Sequence, residues 1–333
     1  MHWDIAFDIG SDCLRMLRRG SAEILTEAAL VAYRRGQDAP FAWGDKAFAF
    51  VGREAPGMSI KSCVSGGIPE DIPLYTAWIR RETGVTDKNY MMKRRRVLLT
   101  VSPSLDEARG ETLMTSIVDD GIETVGLVAS DFAAALGAGI DVTAPESCFI
   151  LDIGASAITW SAIALGQRVK LRTLPFGMKR ADRAIEEAVR TREAVIIGKR
   201  TARLLKQSAF SDSDSAFLVA GLDPATRLPV KKKVHTEVLS DALSDIIADI
   251  ARLCRDAMSD LPVGMAEDIM KNGLTVTGGG SSLGGLIPCL RSTLGIPVIR
   301  SAAAGDSAIL GLNKIMEEPD RYAILLTDWK GVE

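Results

Sequence analysis

Short apolar runs alternate with amphipathic stretches along this chain, and the whole alternation occurs twice. Residues 3–9 form an apolar run that ends in an Asp-Ile-Gly corner, and residues 13–19 have the alternation of its hairpin partner. Residues 22–34, rich in small and β-compatible side chains, are expected to continue that sheet. Gly and Pro interrupt residues 36–66, which predicts a small irregular subdomain. Apolar positions at Ile72, Leu74, Trp78 and Ile79 predict a helix over 69–81. Residues 96–101 read as a buried strand. Ser104, with Glu107 three positions on, has the form of a capping box that opens the next helix. A strand at 124–128 and an Ala-rich helix at 131–137 complete the first half.

The pattern then restarts. Residues 148–153, 158–165 and 169–174 read as three successive strands, followed by a charged helix over 180–193 and another from 201 to 206. A Ser/Asp loop tip at 210–215 leads to a β-pair, 217–221 with 229–234. A long helix over 237–258 carries Leu239, Leu243, Ile246, Ile247 and Ile250 on one face. Residues 274–276 form a strand that runs into three glycines. Strands and helices interleaved in two similar halves predict an α/β protein of two lobes, 1–139 and 140–333, with insertions at about 31–66 and 178–250.

Composition narrows the function classes. At 333 residues the chain is long enough for two cores, and 25% charged with 47% hydrophobic residues is ordinary for a soluble α/β protein. A net charge of −3 gives no footprint for nucleic acid. Cys13, Cys63, Cys148, Cys254 and Cys289 form no C-x-x-C pair, as expected of reduced, mostly buried thiols in a cytosolic protein. Two histidines, His2 and His235, leave no basis for a zinc centre or a Ser-His-Asp triad. Asp4 and Asp8 interrupt the first apolar run, so it is no secretion signal, and no run reaches the roughly 20 apolar residues of a membrane span.

Three turns carry the candidate chemistry. Phe7-Asp8-Ile9-Gly10-Ser11-Asp12 and Leu151-Asp152-Ile153-Gly154-Ala155-Ser156 each place a carboxylate at a strand end before a tight turn. A third turn, Gly278-Gly279-Gly280-Ser281-Ser282, follows a late strand. Backbone N–H groups in such turns converge on a concavity that binds phosphate oxygens. Asp8 and Asp152 are placed to hold the water shell of Mg²⁺ if the halves face each other. One Asp-Ile-Gly alone reads as an ordinary strand-to-turn corner; two, each opening a half, favour a shared polyphosphate site. No G-x-x-x-x-G-K-[ST] occurs, and Gly278, Gly280 and Gly284 lack the G-x-G-x-x-G spacing of a dinucleotide fold.

Nearly end to end, the sequence resembles the MreB family of bacterial actin-like rod-shape proteins, within the actin, sugar-kinase and chaperone ATPase superfamily. The likeness rests on residues 7–12, the Ala133-Ala134-Ala135-Leu136-Gly137-Ala138-Gly139 run, residues 151–154, Ile197-Gly198-Lys199-Arg200-Thr201-Ala202, residues 221–229 and residues 277–286. It implies a duplicated actin-like ATPase fold with ribonuclease-H-like lobes and four subdomains. It further implies ATP with Mg²⁺ between the lobes. The implied nucleotide contacts are Asp8, Gly10, Ser11, Asp12, Cys13 and Leu14 in the first hairpin, and Asp152, Gly154, Ala155, Ser156 and Ala157 in the second. Lys199, Arg200, Thr201 and Ala202 at a helix start, with Gly278, Gly279, Gly280, Ser281 and Ser282, complete the set.

Departures from the family pattern bear on hydrolysis. The family's Asp-Leu-Gly-Thr-Ala-Asn-Thr is here Asp8-Ile9-Gly10-Ser11-Asp12-Cys13-Leu14, with an added carboxylate. Its second hairpin, Asp-Ile-Gly-Gly-Gly-Thr-Thr-Glu, loses glycines and hydroxyls to Ala155-Ser156-Ala157-Ile158-Thr159. Its water-positioning Glu-Glu-Pro becomes Ala129-Ser130-Asp131, leaving Asp131 as the substitute acid, shorter and shifted by one position. Losing a positioned base and phosphate donors costs orders of magnitude in rate, so the ATPase is expected to be weak or lost.

Residues Tyr90, Met91 and Met92 precede Lys93, Arg94, Arg95 and Arg96 between a helix and a strand. Apolar wedge plus cations is the design of an anchor on an anionic leaflet, and the resemblance puts a membrane-inserting loop at this place. Trp3 is a candidate second contact. Lys231-Lys232-Lys233 reads as a solvated edge, and the apolar run 322–326 as a tail packed onto the body. The expected protein is a cytoplasmic scaffold of cell shape or membrane organisation. It forms homopolymer filaments on the inner membrane face, alone or with a paralogous actin-like partner. The alternatives are a small-molecule kinase of the same superfamily and a non-polymerising adaptor of a true filament.

Overall fold

The computed structural model describes residues 2–65, 68–84, 95–119, 122–210 and 215–326. Two five-stranded sheets dominate it, and they share one topology. In the first, Ile5–Ile9, Cys13–Arg18 and Ile24–Ala28 form an antiparallel meander, and Arg96–Val101 then Thr124–Ala129 add in parallel on the other side of Ile5–Ile9. In the second, Cys148–Ile153, Ile158–Ala164 and Gln167–Leu174 make the meander, and Leu274–Thr277 with Val298–Arg300 add in parallel. Strands 96–101 and 148–153 are buried along most of their length, as parallel central strands must be when both faces are covered. Gln167–Leu174 is a partly exposed polar edge.

The expectation of a duplicated α/β fold holds, with local corrections. Residues 22–34 do not run on in one sheet. Ile24–Ala28 ends the first meander, and Val31–Arg34 starts a separate three-stranded sheet with Ala42–Trp43 and Met58–Lys61. The Gly/Pro-rich insertion is thus ordered, with its own small core around Ala32, Ala42 and Ala47. The helix expected after Ser104 begins at Glu107, and Asp106 is its cap: the Asp106 carboxylate accepts the Arg109 N–H at 2.9 Å. A charged acceptor directly before the first turn outcompetes the serine hydroxyl two residues earlier.

Trp3 is 1% exposed, inside the layer between the two sheets with Leu98, Ile150 and Ile163, so it is no membrane contact. The C-terminal helix Ser307–Glu317 fills the same layer and crosses the helix Ser130–Gly137. Although it comes late in the chain, it packs on the first sheet, while Ser130–Gly137 packs on the second, so the two halves share one core layer. Tyr322 and Leu325 are buried behind it, the expected return of the tail onto the body.

The two crossing helices touch backbone to backbone. A Cβ on Gly137 would lie 1.7 Å from the Ser307 carbonyl oxygen, and one on Gly311 would lie 1.8 Å from the Ala133 carbonyl oxygen. Only glycine permits that approach at either point.

Candidate functional site

Both Asp-Ile-Gly corners end in turns of the same length and closure. The Gly10 N–H donates to the Cys13 carbonyl at 3.0 Å, and the Gly154 N–H donates to the Ala157 carbonyl at 3.0 Å. Each carboxylate is held by a threonine from the neighbouring parallel strand. The Thr100 hydroxyl donates to Asp8 at 2.6 Å, and the Thr277 hydroxyl donates to Asp152 at 2.9 Å. The two turns and the glycine turn 278–280 line one cavity of about 310 Å³ between the sheets. Asp8, Gly10, Ser11, Asp12 and Cys13 line it from one side, and Asp152, Gly154, Ala155, Ser156 and Ala157 from the other.

The three late glycines have different reasons to be glycine. Gly278 has φ +78°, and a Cβ there would meet the Ile153 backbone at 2.5 Å. A Cβ on Gly280 would lie 2.3 Å from the Ile153 side chain. Both are required by packing against the second hairpin. Gly279 has nothing within 4 Å and faces the cavity, so its freedom is available to a ligand. Ser282 also lines the cavity, whereas Ser281 is buried and turns its hydroxyl back to the Gly278 carbonyl at 2.7 Å.

Several expected contacts lie elsewhere. Leu14 is fully buried in the core of the first sheet, because strand alternation turns it away from the turn. Ala202 is buried in the second core, and Lys199, Arg200 and Thr201 do not line the cavity. The later turns of their helix do: Arg203, Lys206 and Gln207 face inward. Arg200 instead stacks on Phe48, with its guanidinium 4.9 Å from the ring centroid.

Asp131, the expected substitute acid, does not line the cavity and is 1% exposed. Its carboxylate takes a bidentate pair from Arg168 at 2.6 and 2.7 Å, plus the Ser161 hydroxyl at 2.7 Å. Arg168 and Ser161 belong to the second meander, so this pair ties the first half to the second. Ser130, one residue earlier, is the side chain that reaches the cavity. The hydrolytic carboxylate is absent from this position of the wall.

Of the cations of the cleft, the resemblance placed Arg203 in the ribose-contacting segment, but Arg15, Lys179 and Lys206 were not foreseen. Arg15 stands opposite Asp8 in the hairpin register, 3.6 Å from its carboxylate, and its Nε donates to Asp306 at 2.7 Å. Lys179 donates to the Ser11 carbonyl at 2.9 Å from the second half, and Arg203 pairs with Asp12 across the opening. Lys206 is paired with Asp182 at 2.6 Å. Desolvation pushes the Lys179 ammonium below the usual lysine range, and nearby Arg203 adds to that. Asp152 is pushed up to about 6, mainly by burial, with the negative Asp8 adding to it and the Thr277 bond opposing it. Counting back across a four-residue turn would have found Arg15; Lys179 reaches the site, and Arg203 its partner Asp12, only through tertiary packing.

The family model for MreB/Mbl protein matches residues 2–324. The chain belongs to the MreB/Mbl family. The cell shape-determining protein MreB of Escherichia coli (strain K12) is 27% identical over 335 residues, 96% of this chain and 94% of that one. The crystal structure of MreB5 of Spiroplasma citri bound to ADP superposes with a TM-score of 0.89 at 23% identity, covering 96% and 97% of the two chains. A MamK double helical filament superposes at 0.76 with 15% identity, covering 94% and 99%. The fold is therefore the actin-like one, with the candidate cleft of this MreB/Mbl chain between its two sheets.

A nucleotide fits the residues present: two turns, an open glycine at Gly279 and inward-facing Lys179 and Arg203. The Mg²⁺ site at Asp8 and Asp152 does not fit as expected. One Asp8 oxygen takes the Thr100 hydroxyl and the other faces the Arg15 guanidinium at 3.6 Å, so a hydrated divalent cation at Asp8 would approach a positive charge already in place.

Residues Tyr90, Met91, Met92, Lys93 and Arg94 lie outside the described residues. Of the basic run, Arg96 opens the strand and pairs with Glu123 at 3.3 Å, and Arg95 immediately precedes that strand. Among the described residues no helix is long and apolar enough to cross a membrane.

Proposed function

We propose that this protein is an actin-like filament former of the MreB/Mbl family that binds an adenine nucleotide between its lobes and acts as a scaffold for cell shape. The observation that carries the reading is the pair of equivalent hairpin turns facing one cavity, with Gly279 open at its back. The ADP complex of the Spiroplasma relative and the filament of MamK support nucleotide binding and self-association respectively. Hydrolysis is weak or lost in this reading, because Ser130 stands in the wall and Asp131 is committed to Arg168. The filament lies on the cytoplasmic face of the membrane, held by the apolar side chains Tyr90, Met91 and Met92 and the cations that follow them.

Sedimentation and negative-stain microscopy of the full chain, with and without ATP and anionic liposomes, test this. Filaments that coat liposomes and release phosphate slowly or not at all are the expected outcome. A soluble monomer that turns over ATP with a metabolite would replace the reading with a kinase. Serine at Tyr90, Met91 and Met92 together should detach the protein from liposomes, and unchanged binding would remove the anchor.

A further inference from the structure

Across the pseudo-twofold relation of the two halves, one position differs in a way that matters for charge. The residue opposite Asp152 in the hairpin register is Thr159; the residue opposite Asp8 is Arg15. We propose that Arg15 is a resident cation of the cleft that takes the place of a divalent metal at Asp8, so that the polyphosphate chain of a nucleotide binds without metal. This rests on the nucleotide reading above.

The geometry fixes Arg15 at both ends. Its Nε donates to Asp306 at 2.7 Å, its Nη1 lies 3.6 Å from the Asp8 carboxylate, and Nη1 also lies 3.0 Å from the Cys13 sulfur. Its side chain is 15% exposed, and that of Asp8 is 16% exposed. A guanidinium held between two carboxylates cannot swing aside without giving up both contacts, and the part-buried Asp8 would keep only its Thr100 hydrogen bond. Burial opposes its charge, and the neighbouring carboxylates Asp8 and Asp306 favour it.

A hydrated divalent cation brought to Asp8 would therefore meet a fixed positive charge a few ångströms away. Arg15 lines the cavity beside the first turn and has donors in excess of those used on Asp306 and Asp8. Those donors suit phosphate oxygens, which a guanidinium binds as well as it binds carboxylate. In the second half the register partner of Asp152 is Thr159 and its hydrogen-bond donor is Thr277, so that hairpin supplies no cation of its own.

The test is calorimetric titration of ADP into the full chain in Mg²⁺ and in EDTA. Wild-type affinity should change by less than about threefold between the two, and Arg15→Leu should lose about tenfold in EDTA and regain it in Mg²⁺, the loss expected for one charged hydrogen bond. Wild-type binding about tenfold or more tighter in Mg²⁺ overturns the proposal, and this arm needs no variant to fold. A second arm titrates Mn²⁺ alone and follows water-proton relaxation. Arg15→Leu should gain a bound Mn²⁺ that the wild type lacks; equal uptake by both proteins, or none by either, overturns the proposal. Absence of ADP binding in every buffer would remove the nucleotide reading, and the Mn²⁺ arm would still decide the role of Arg15.

Discussion

The two halves carry one frame and two electrostatic settings. Strand order, turn length and the Asp–Thr pairing are the same in both: Asp8 with Thr100, Asp152 with Thr277. What differs is the side chain facing each carboxylate. Arg15 faces Asp8 from within its own hairpin, while Asp152 has no cation in its register, and burial moves its acid range up to about 6. Backbone geometry is thus inherited by duplication, but the charge placed beside each corner differs by one cross-strand residue. The cleft is asymmetric in chemistry because of that residue, although it is symmetric in shape.

The strongest test of the shared frame is the helix crossing that joins the halves. Gly311→Ala puts a methyl group inside the Ala133 backbone, and Gly137→Ala does the same at Ser307. Each should destabilise the protein by roughly 3–5 kcal/mol or prevent folding, measured by urea unfolding. A cost near that of an exposed helical glycine would mean that the halves are not joined by this contact.

Next is the cross-lobe pair of Asp131. Asp131→Ala leaves the partly buried Arg168 without its bidentate partner and should cost on the order of 3 kcal/mol. Any residual ATPase, measured below the unfolding temperature, should be unchanged, because the carboxylate does not face the cavity. A selective loss of turnover at full stability would return Asp131 to the catalytic list.

The smallest effect separates the two carboxylates by pH. A group whose folded acid range is raised binds protons more tightly when folded, so its contribution to stability is greatest in acid and is lost as pH rises through about 4 to 6. Asp152→Asn keeps the acceptor for Thr277 and removes that loss. The variant should be more stable than wild type above pH 6, by on the order of 2 kcal/mol, and the difference should shrink to near zero below pH 4. Asp8→Asn should show no such gain, since it deprives Arg15 of a partner. Equal curves for the two variants would erase the contrast between the halves.

Much of the frame was legible before any coordinates. The two Asp-Ile-Gly corners, the three-strand meanders and the Gly-Gly-Gly turn are local features whose spacing is fixed by strand alternation and turn length. The site was legible where it is local: the turn residues 10–13 and 154–157 line the cavity as their sequence implies. It was not legible where a residue acts across the fold. Trp3 looks like an exposed terminal aromatic until the second sheet closes over it. Asp131 looks like a displaced catalytic acid until Arg168, on another strand of the other half, turns out to face it.

The sequence by itself determined the duplicated α/β plan, the corners that carry carboxylates and the family, because each depends on periodicity and on residues adjacent in the chain. Tertiary structure alone decided which charges meet in the cleft. Lys179 reaches Ser11 and Arg203 reaches Asp12 only because two lobes face each other, and an ion pair of that kind has no signature in spacing. The strength of such pairs depends on distance and burial, and both come into existence only when the chain has folded.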